Sequence, residues 1–240
     1  MNETDGRSGA MNAADGRSGA MTELVRCTGV ARTYGRGSRA VVAVHGVTCA
    51  LAPGDRVALT GPSGSGKTTL LHLLAGLDRP TTGTIGWPGL DERPRGRVGV
   101  VFQGPSLLPS LDVRENVALP LLIAGRAEDD AGREALRALT AAGIAELAAQ
   151  LPEELSGGQA QRVAVARVLA AAPRLIIADE PTGQLDSTRA AQVIDLLNEV
   201  CIRLDAALLV ATHDPAVVVR LPRRWEMRGG ALEGDLACSS

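Results

Sequence analysis

Nine consecutive residues, Gly61-Pro62-Ser63-Gly64-Ser65-Gly66-Lys67-Thr68-Thr69, combine conformationally free positions with one ammonium and several hydroxyls. Glycines at 61, 64 and 66 let backbone N–H groups converge on anionic oxygens, and a helix starting directly after them adds its positive dipole end. Lys67 at this spacing suits a bridge between the β- and γ-phosphates of a nucleotide, and the Thr68 hydroxyl suits Mg²⁺. Lys67 is the only lysine among 25 basic residues; every other one is Arg. A compact ammonium fits a crowded phosphate pocket better than a planar guanidinium fork.

Such a loop works only between a strand and a helix, and the flanking residues supply both. Val57 to Thr60 is a short apolar run that reads as a strand, and Leu70, Leu71, Leu73 and Leu74 give the following helix a buried face. Upstream, Leu24 to Val30 alternates like a strand, a loop carries Tyr34, and Val41 to Ala52 reads as a second strand ending at Pro53-Gly54-Asp55, together an antiparallel β-layer. Downstream, Gly83 to Gly99 is rich in turn formers and predicts a short hairpin before a strand at Val98 to Phe102. From Val113 to about Gln150 the period is helical, with breaks at Pro120, Gly125 and Gly143. Gly157 and Gly158 precede a helix over Gln159–Ala171. Two further apolar strands, Leu175–Ala178 and Ala207–Ala211, enclose a helix over Thr188–Leu204. Fully apolar strands alternating with helices predict an α/β fold whose parallel sheet is covered on both faces.

The 240 residues, 45% of them hydrophobic, suffice for one large domain, which we place at 21–240 with a helical subdomain at about 104–172. A net charge of −2 provides no basic field for nucleic acid, which predicts no nucleic-acid partner. Cys27, Cys49, Cys201 and Cys238 form no metal or disulfide pattern, and reduced thiols in the cytosol are expected. No apolar run nears the roughly 20 residues of a membrane span. The chain is expected to be cytoplasmic. Residues 1–10, MNETDGRSGA, recur at 11–20 as MNAADGRSGA; being polar and glycine-rich, this duplicate is expected to be a disordered tail, with Met21 as an alternative start.

Leu155-Ser156-Gly157-Gly158-Gln159 stands between the phosphate loop and an apolar run ending in Asp179-Glu180, followed by Pro181-Thr182-Gly183-Gln184-Leu185-Asp186. In composition and order these segments resemble the ATPase subunit of an ABC transporter, over essentially Leu24 to Asp235. The resemblance implies the P-loop NTPase fold of that family: a parallel-sheet core with an antiparallel β-layer and an α-helical subdomain.

It also implies roles. Tyr34 would stack on adenine. Asp179 would hold Mg²⁺ with Thr68, and Glu180 would be the general base on the attacking water. Gln103 would contact Mg²⁺ and that water and sense a membrane partner, while His213 would contact the γ-phosphate. Ser156, Gly157, Gly158 and Gln159, before a helix, would form a second anion site facing the ATP of another copy, with Asp186 at the seam. ATP would thus be glued between two copies of the chain. His45 and His72 match no catalytic position. Ala160 and Gln184 replace residues common in the family without removing a ligand, and the stretch between Gly86 and Val98 is shorter than usual.

The segments 101–125 and 179–187 most resemble the subgroup serving lipoprotein release, macrolide and peptide export and the cell-division complex, in which a free ATPase drives a separate transmembrane permease that reads the substrate. A soluble ABC ATPase of repair or translation is the alternative; it predicts a second cassette, a coiled-coil insertion or a basic arm. A regulator without turnover would lack the base or the lysine, yet Glu180 and Lys67 are present. Finally, Gly104 to Leu111 reads as a loop that shifts with Gln103, with Leu107, Leu108 and Leu111 as an apolar docking border for the permease.

Overall fold

The computed structural model describes residues 23–92, 94–104, 106–183 and 185–234. The duplicated decapeptides read as a disordered tail lie outside the described residues. In chain order the elements are β1 (Val25–Tyr34), β2 (Val41–Leu51), β3 (Arg56–Thr60), α1 (Lys67–Leu74), β4 (Thr82–Gly86), β5 (Val98–Val101), α2 (Val113–Ile123), α3 (Glu128–Ala141), α4 (Gly157–Ala170), β6 (Leu175–Asp179), α5 (Ser187–Leu204), β7 (Ala207–Ala211), α6 (Pro215–Val218), β8 (Arg223–Arg228) and β9 (Ala231–Gly234).

Strands β5-β6-β7-β3-β8-β9 form one sheet, parallel except for the final antiparallel pair. Every residue of β6 and β7 is buried, because helices cover one face of the sheet and α1 with the second sheet cover the other. Alternation along the strands sorts their side chains. Leu175, Ile177 and Leu209 pack with Leu70 and Leu74 of α1 and with Val25 and Leu51, whereas Ile176, Leu208 and Val210 pack with Val165, Ile194 and Leu197 of α4 and α5. The second sheet, β2-β1-β4, is antiparallel.

Helices α2 and α3 build a third apolar cluster with one face of α4. In α3, Ala131, Ala135, Ala138 and Leu139 make the buried stripe, and Glu128, Asp129 and Asp130 in the first turn complement its dipole. Helix α4 belongs to two cores: Val163 and Ala166 face the helical cluster, while Val165, Val168 and Leu169 face the sheet.

Several local expectations are revised. Tyr34 closes strand β1 instead of lying in a loop. Residues 83–99 form no hairpin of their own among the described residues; β4 pairs with β1, and Gly83 permits the close approach, since a Cβ there would meet the Gly29 carbonyl oxygen at 2.3 Å. Helix α2 runs through Pro120, because Val117 and Leu121 on either side of it are anchored in the helical cluster, and ends before Gly125. Gly157 and Gly158 lie inside the first turn of α4, since Ser156 with Gln159 completes a capping box one residue earlier. Strands β8 and β9 extend the sheet beyond what the periodicity suggested.

Candidate active site

The phosphate loop joins β3 to α1 and is wedged between the two sheets. Gly61 has φ 142°, and a Cβ on it would lie 2.2 Å from the Met227 carbonyl oxygen of β8. Gly66 has φ 98°, and its Cβ would lie 2.1 Å from the Ala43 carbonyl oxygen of β2. Only glycine satisfies both the left-handed backbone and the close approach. The Gly230 N–H donates to the Ser65 carbonyl at 3.1 Å, fixing the loop from the β8–β9 turn.

Lys67 Nζ donates to the carbonyl oxygens of Gly61 at 2.8 Å and Pro62 at 2.9 Å, so its ammonium is held over the loop. The Thr68 hydroxyl donates to Oδ2 of Asp179 at 2.7 Å, which joins the first turn of α1 to the buried end of β6. Two hard oxygens at this separation, one anionic, are the donor set that Mg²⁺ takes.

Glu180 follows β6 with φ 47°, and its N–H donates to the Ala211 carbonyl at 3.0 Å. Its Oε1 lies 2.8 Å from Nδ1 of His213, which follows β7. The hydrogen bond and the negative charge of Glu180 both raise the His213 pKa above its ordinary value.

These groups border one cavity of 620 Å³, which brings together Gly61, Ser63, Gly64, Gly66, Lys67, Thr68, Thr69, Gln103, Asp179, Glu180 and His213. It also gathers Ala43 and Gly183, which sequence reasoning had not singled out; an alanine in a β-layer strand carries no chemical signal. Pro62 contributes only its carbonyl, and Ser65 lies buried beneath the loop with no partner for Oγ among the described residues.

The other predicted residues stand away from that wall. Tyr34, at the end of β1, is 41% exposed. Ser156 and Gln159 cap α4 reciprocally: the Gln159 N–H donates to Ser156 Oγ at 3.3 Å, and the Ser156 N–H donates to Gln159 Oε1 at 2.8 Å. Gly158 lies against Leu185, since a Cβ there would meet Leu185 Cδ2 at 2.8 Å, and Asp186 caps α5 through the Arg189 N–H at 2.9 Å. The Ser156–Gln159 turn and the Asp186 segment therefore adjoin each other on an exposed face.

The segment around Gln103 is tied to α4 at both ends. Gln161 Nε2 donates to the Phe102 carbonyl at 3.3 Å, and Arg167 Nη1 donates to the Ser106 carbonyl at 2.8 Å. The far end of the segment expected to shift with Gln103 is anchored to α2. Buried Asn116 accepts from the Leu108 N–H at 2.8 Å and donates through Nδ2 to the carbonyls of Leu108 (3.1 Å), Leu111 (2.9 Å) and Asp112 (3.0 Å). Leu107 packs against the helical cluster. Leu108 stays 44% exposed, and a separate groove of 770 Å³ has Phe102, Leu119 and Ile123 as apolar lining and Arg95, Arg126 and Arg167 among its polar residues.

Similarity to known proteins runs along the same lines. The ABC transporter family profile matches residues 44–183. The lipoprotein-releasing system ATP-binding protein LolD of Legionella pneumophila strain Paris is 43% identical over a 211-residue alignment that covers 84% of this chain and 93% of that protein. Its counterpart in strain Lens is 41% identical over equal shares. The ATP-binding cassette MJ0796, solved as a dimer in a post-hydrolysis state with ADP and Pi, has a TM-score of 0.81 at 33% identity and matches over 88% of this chain and 98% of that one. The cassette cbiO1 of Clostridium perfringens, part of the transporter complex cbiONQ, has a TM-score of 0.76 at 28% identity over 88% of this chain and 87% of that one. With a family match over more than half its length and a phosphate loop joined to a carboxylate pair in one cavity, the chain belongs to the ABC transporter family, as an ATP-binding and ATP-hydrolysing subunit.

Proposed function

We propose that the chain works as one half of a homodimer closed around two ATP molecules and drives a separate transmembrane permease of the lipoprotein- or peptide-exporting kind. The observation that carries this reading is the convergence of Lys67, Thr68, Gln103, Asp179, Glu180 and His213 on one cavity. Lys67 exchanges its two loop carbonyls for the β- and γ-phosphate oxygens. Thr68, Asp179 and Gln103 would hold Mg²⁺, which would supply positive charge against the phosphates. Glu180 accepts a proton from water as the water oxygen bonds to the γ-phosphorus and the bond to the β-phosphate oxygen breaks, giving ADP and inorganic phosphate. His213 orients Glu180 before that step and engages the γ-phosphate during it. Tyr34 carries the adenine.

Ser156, Gly157, Gly158, Gln159 and Asp186 serve the nucleotide of the other copy. Two features support this: they stand away from the chain's own cavity, and the related MJ0796 was solved as a dimer. For the permease, the groove beside Phe102 and Ile123 replaces the leucine border as docking surface. It borders Gln103 in sequence, and among the described residues no helix is long and apolar enough to cross a membrane. The sequence identity with LolD, named for lipoprotein release, supports a lipid-modified cargo.

Size-exclusion chromatography of Glu180→Gln with Mg·ATP tests the reading. The variant is expected to bind ATP, lose turnover and accumulate as a dimer. Turnover at the wild-type rate would remove Glu180 as the base, and a monomer at saturating ATP would remove the sandwich.

A further inference from the structure

We propose that Arg32 and Asp78 are positioning residues that hold the Tyr34 ring in place as the platform for the nucleotide base. The inference rests on the proposed contact between Tyr34 and adenine and adds the parts that prepare it.

Arg32 and Tyr34 are two apart on β1 and so share a face. The Arg32 guanidinium carbon lies 4.5 Å from the centre of the Tyr34 ring, covering one side of it. Arg32 is in turn held by both oxygens of Asp78, with Nε donating to Oδ2 at 2.9 Å and Nη2 lying 2.9 Å from Oδ1. The Tyr34 hydroxyl donates to the same Oδ2 at 2.8 Å. One carboxylate thus fixes the tip of the ring and the cation on its face, which leaves the opposite face for a ligand. Partial burial opposes ionisation of Asp78, but the Tyr34 hydroxyl, the Arg79 N–H and Arg32 together hold its carboxyl below the ordinary range.

The placement of Asp78 gives the clamp its use. It follows α1, the helix that begins at Lys67, and its N–H returns to the His72 carbonyl at 3.3 Å. Thr81 stitches the same loop back to β1, through its N–H to the Ala31 carbonyl at 2.8 Å and through its hydroxyl from the Thr33 N–H at 3.0 Å. The base platform is therefore referenced to the helix that carries the phosphate loop. Exposed Val41 pairs with Tyr34 across β1 and β2 and extends the apolar surface, and Ala43, two residues on, already borders the phosphate cavity. An unclamped tyrosine at a strand end would lose binding energy to fixing its rotamer; the clamp removes that cost before the ligand arrives.

The test compares affinities of the full chain for Mg·ATP and for Mg·tripolyphosphate, which has no base, by titration calorimetry. Tyr34→Ala is expected to weaken ATP binding about tenfold and Asp78→Ala about three- to tenfold, with no further loss in the double variant, because Asp78 acts through the ring. Tripolyphosphate affinity and the nucleotide-free melting temperature stay near wild type. Tyr34→Phe keeps the ring and loses only its tip bond, so it carries the test if Asp78→Ala does not fold, with an expected loss of about threefold. An unchanged ATP affinity in Tyr34→Ala would sink the base contact itself. If Tyr34→Ala weakens ATP while Tyr34→Phe and Asp78→Ala do not, the clamp is overturned and the base contact stands. The clamp is also overturned if Asp78→Ala costs as much in the Tyr34→Ala background, or weakens tripolyphosphate equally.

Discussion

His213 Nδ1 and Glu180 Oε1 lie 2.8 Å apart, reached from the ends of two neighbouring parallel strands, β7 and β6. The bond fixes which way the carboxylate points and leaves the exposed ring edge of His213 toward the cavity. Because the folded pKa of His213 lies above its ordinary value, the pair's stabilisation is complete below about pH 6.5 and fades as pH rises through the raised value. We expect the nucleotide-free melting temperature of His213→Ala to fall about 1–3 °C below wild type at pH 5.5, and the gap to close toward pH 9. A gap independent of pH would mean that the pair carries no charge linkage.

Two glycines of one loop separate strain from collision. Gly64 has φ 76° and open space, with nothing within 4 Å of where a Cβ would stand, whereas Gly66 has φ 98° and the Ala43 oxygen 2.1 Å away. Gly64→Ala should cost about 1–2 kcal/mol, and Gly66→Ala clearly more, with loss of Mg·ATP binding. Urea denaturation of both variants checks the order; equal costs would show that β2 yields to the added methyl.

Asn116 is buried and serves the turn at 108–112 with four hydrogen bonds. Replacing it by Ala leaves the Leu108 N–H and the Leu111 carbonyl short of a partner, while the Leu108 and Asp112 carbonyls keep backbone donors, and should cost about 2–4 kcal/mol. Hydrogen exchange at the Leu108 amide should accelerate in the variant, and an unchanged rate would show that the turn holds itself.

Ile123 is 78% exposed beside the groove. Ile123→Asp is expected to leave melting temperature and ATP affinity within error while abolishing co-purification with the permease, because an exposed apolar residue contributes little to the fold. Retained co-purification would place the docking surface elsewhere.

Elements buried on both faces were readable from the chain because continuous apolar runs and capping residues are local signals. β7 matches its expected bounds, whereas α4 and α5 begin at Gly157 and Ser187, ahead of the expected Gln159 and Thr188, because Ser156 and Asp186 cap them. What escaped was set at a distance. The partner of β4 lies more than fifty residues upstream, Arg32 and Asp78 are 46 apart, and the Asn116 side chain decides whether a Gly- and Ser-rich turn is loose. In β8, Arg224-Trp225-Glu226-Met227 does alternate, with Trp225 and Met227 fully buried, so a period-two signal was present there. The cavity was legible as a set of residue types. Its surroundings were not, because Ala43, which lines it, and Met227, which abuts Gly61, act on the loop through backbone carbonyls, which no motif records.

The wedging of the phosphate loop has a further effect. Glycine-rich loops ordinarily open by themselves, but here the Ala43 and Met227 carbonyls press on it from two different sheets, and the Gly230 turn holds Ser65 while also receiving the His45 N–H at 2.8 Å. Moving Gly61 or Gly66 means parting the sheets, so the two ends of the loop share the protection of the core while Pro62 to Gly64 stay exposed between them. The cradle keeps the spacing of its ends through the cohesion of the whole domain.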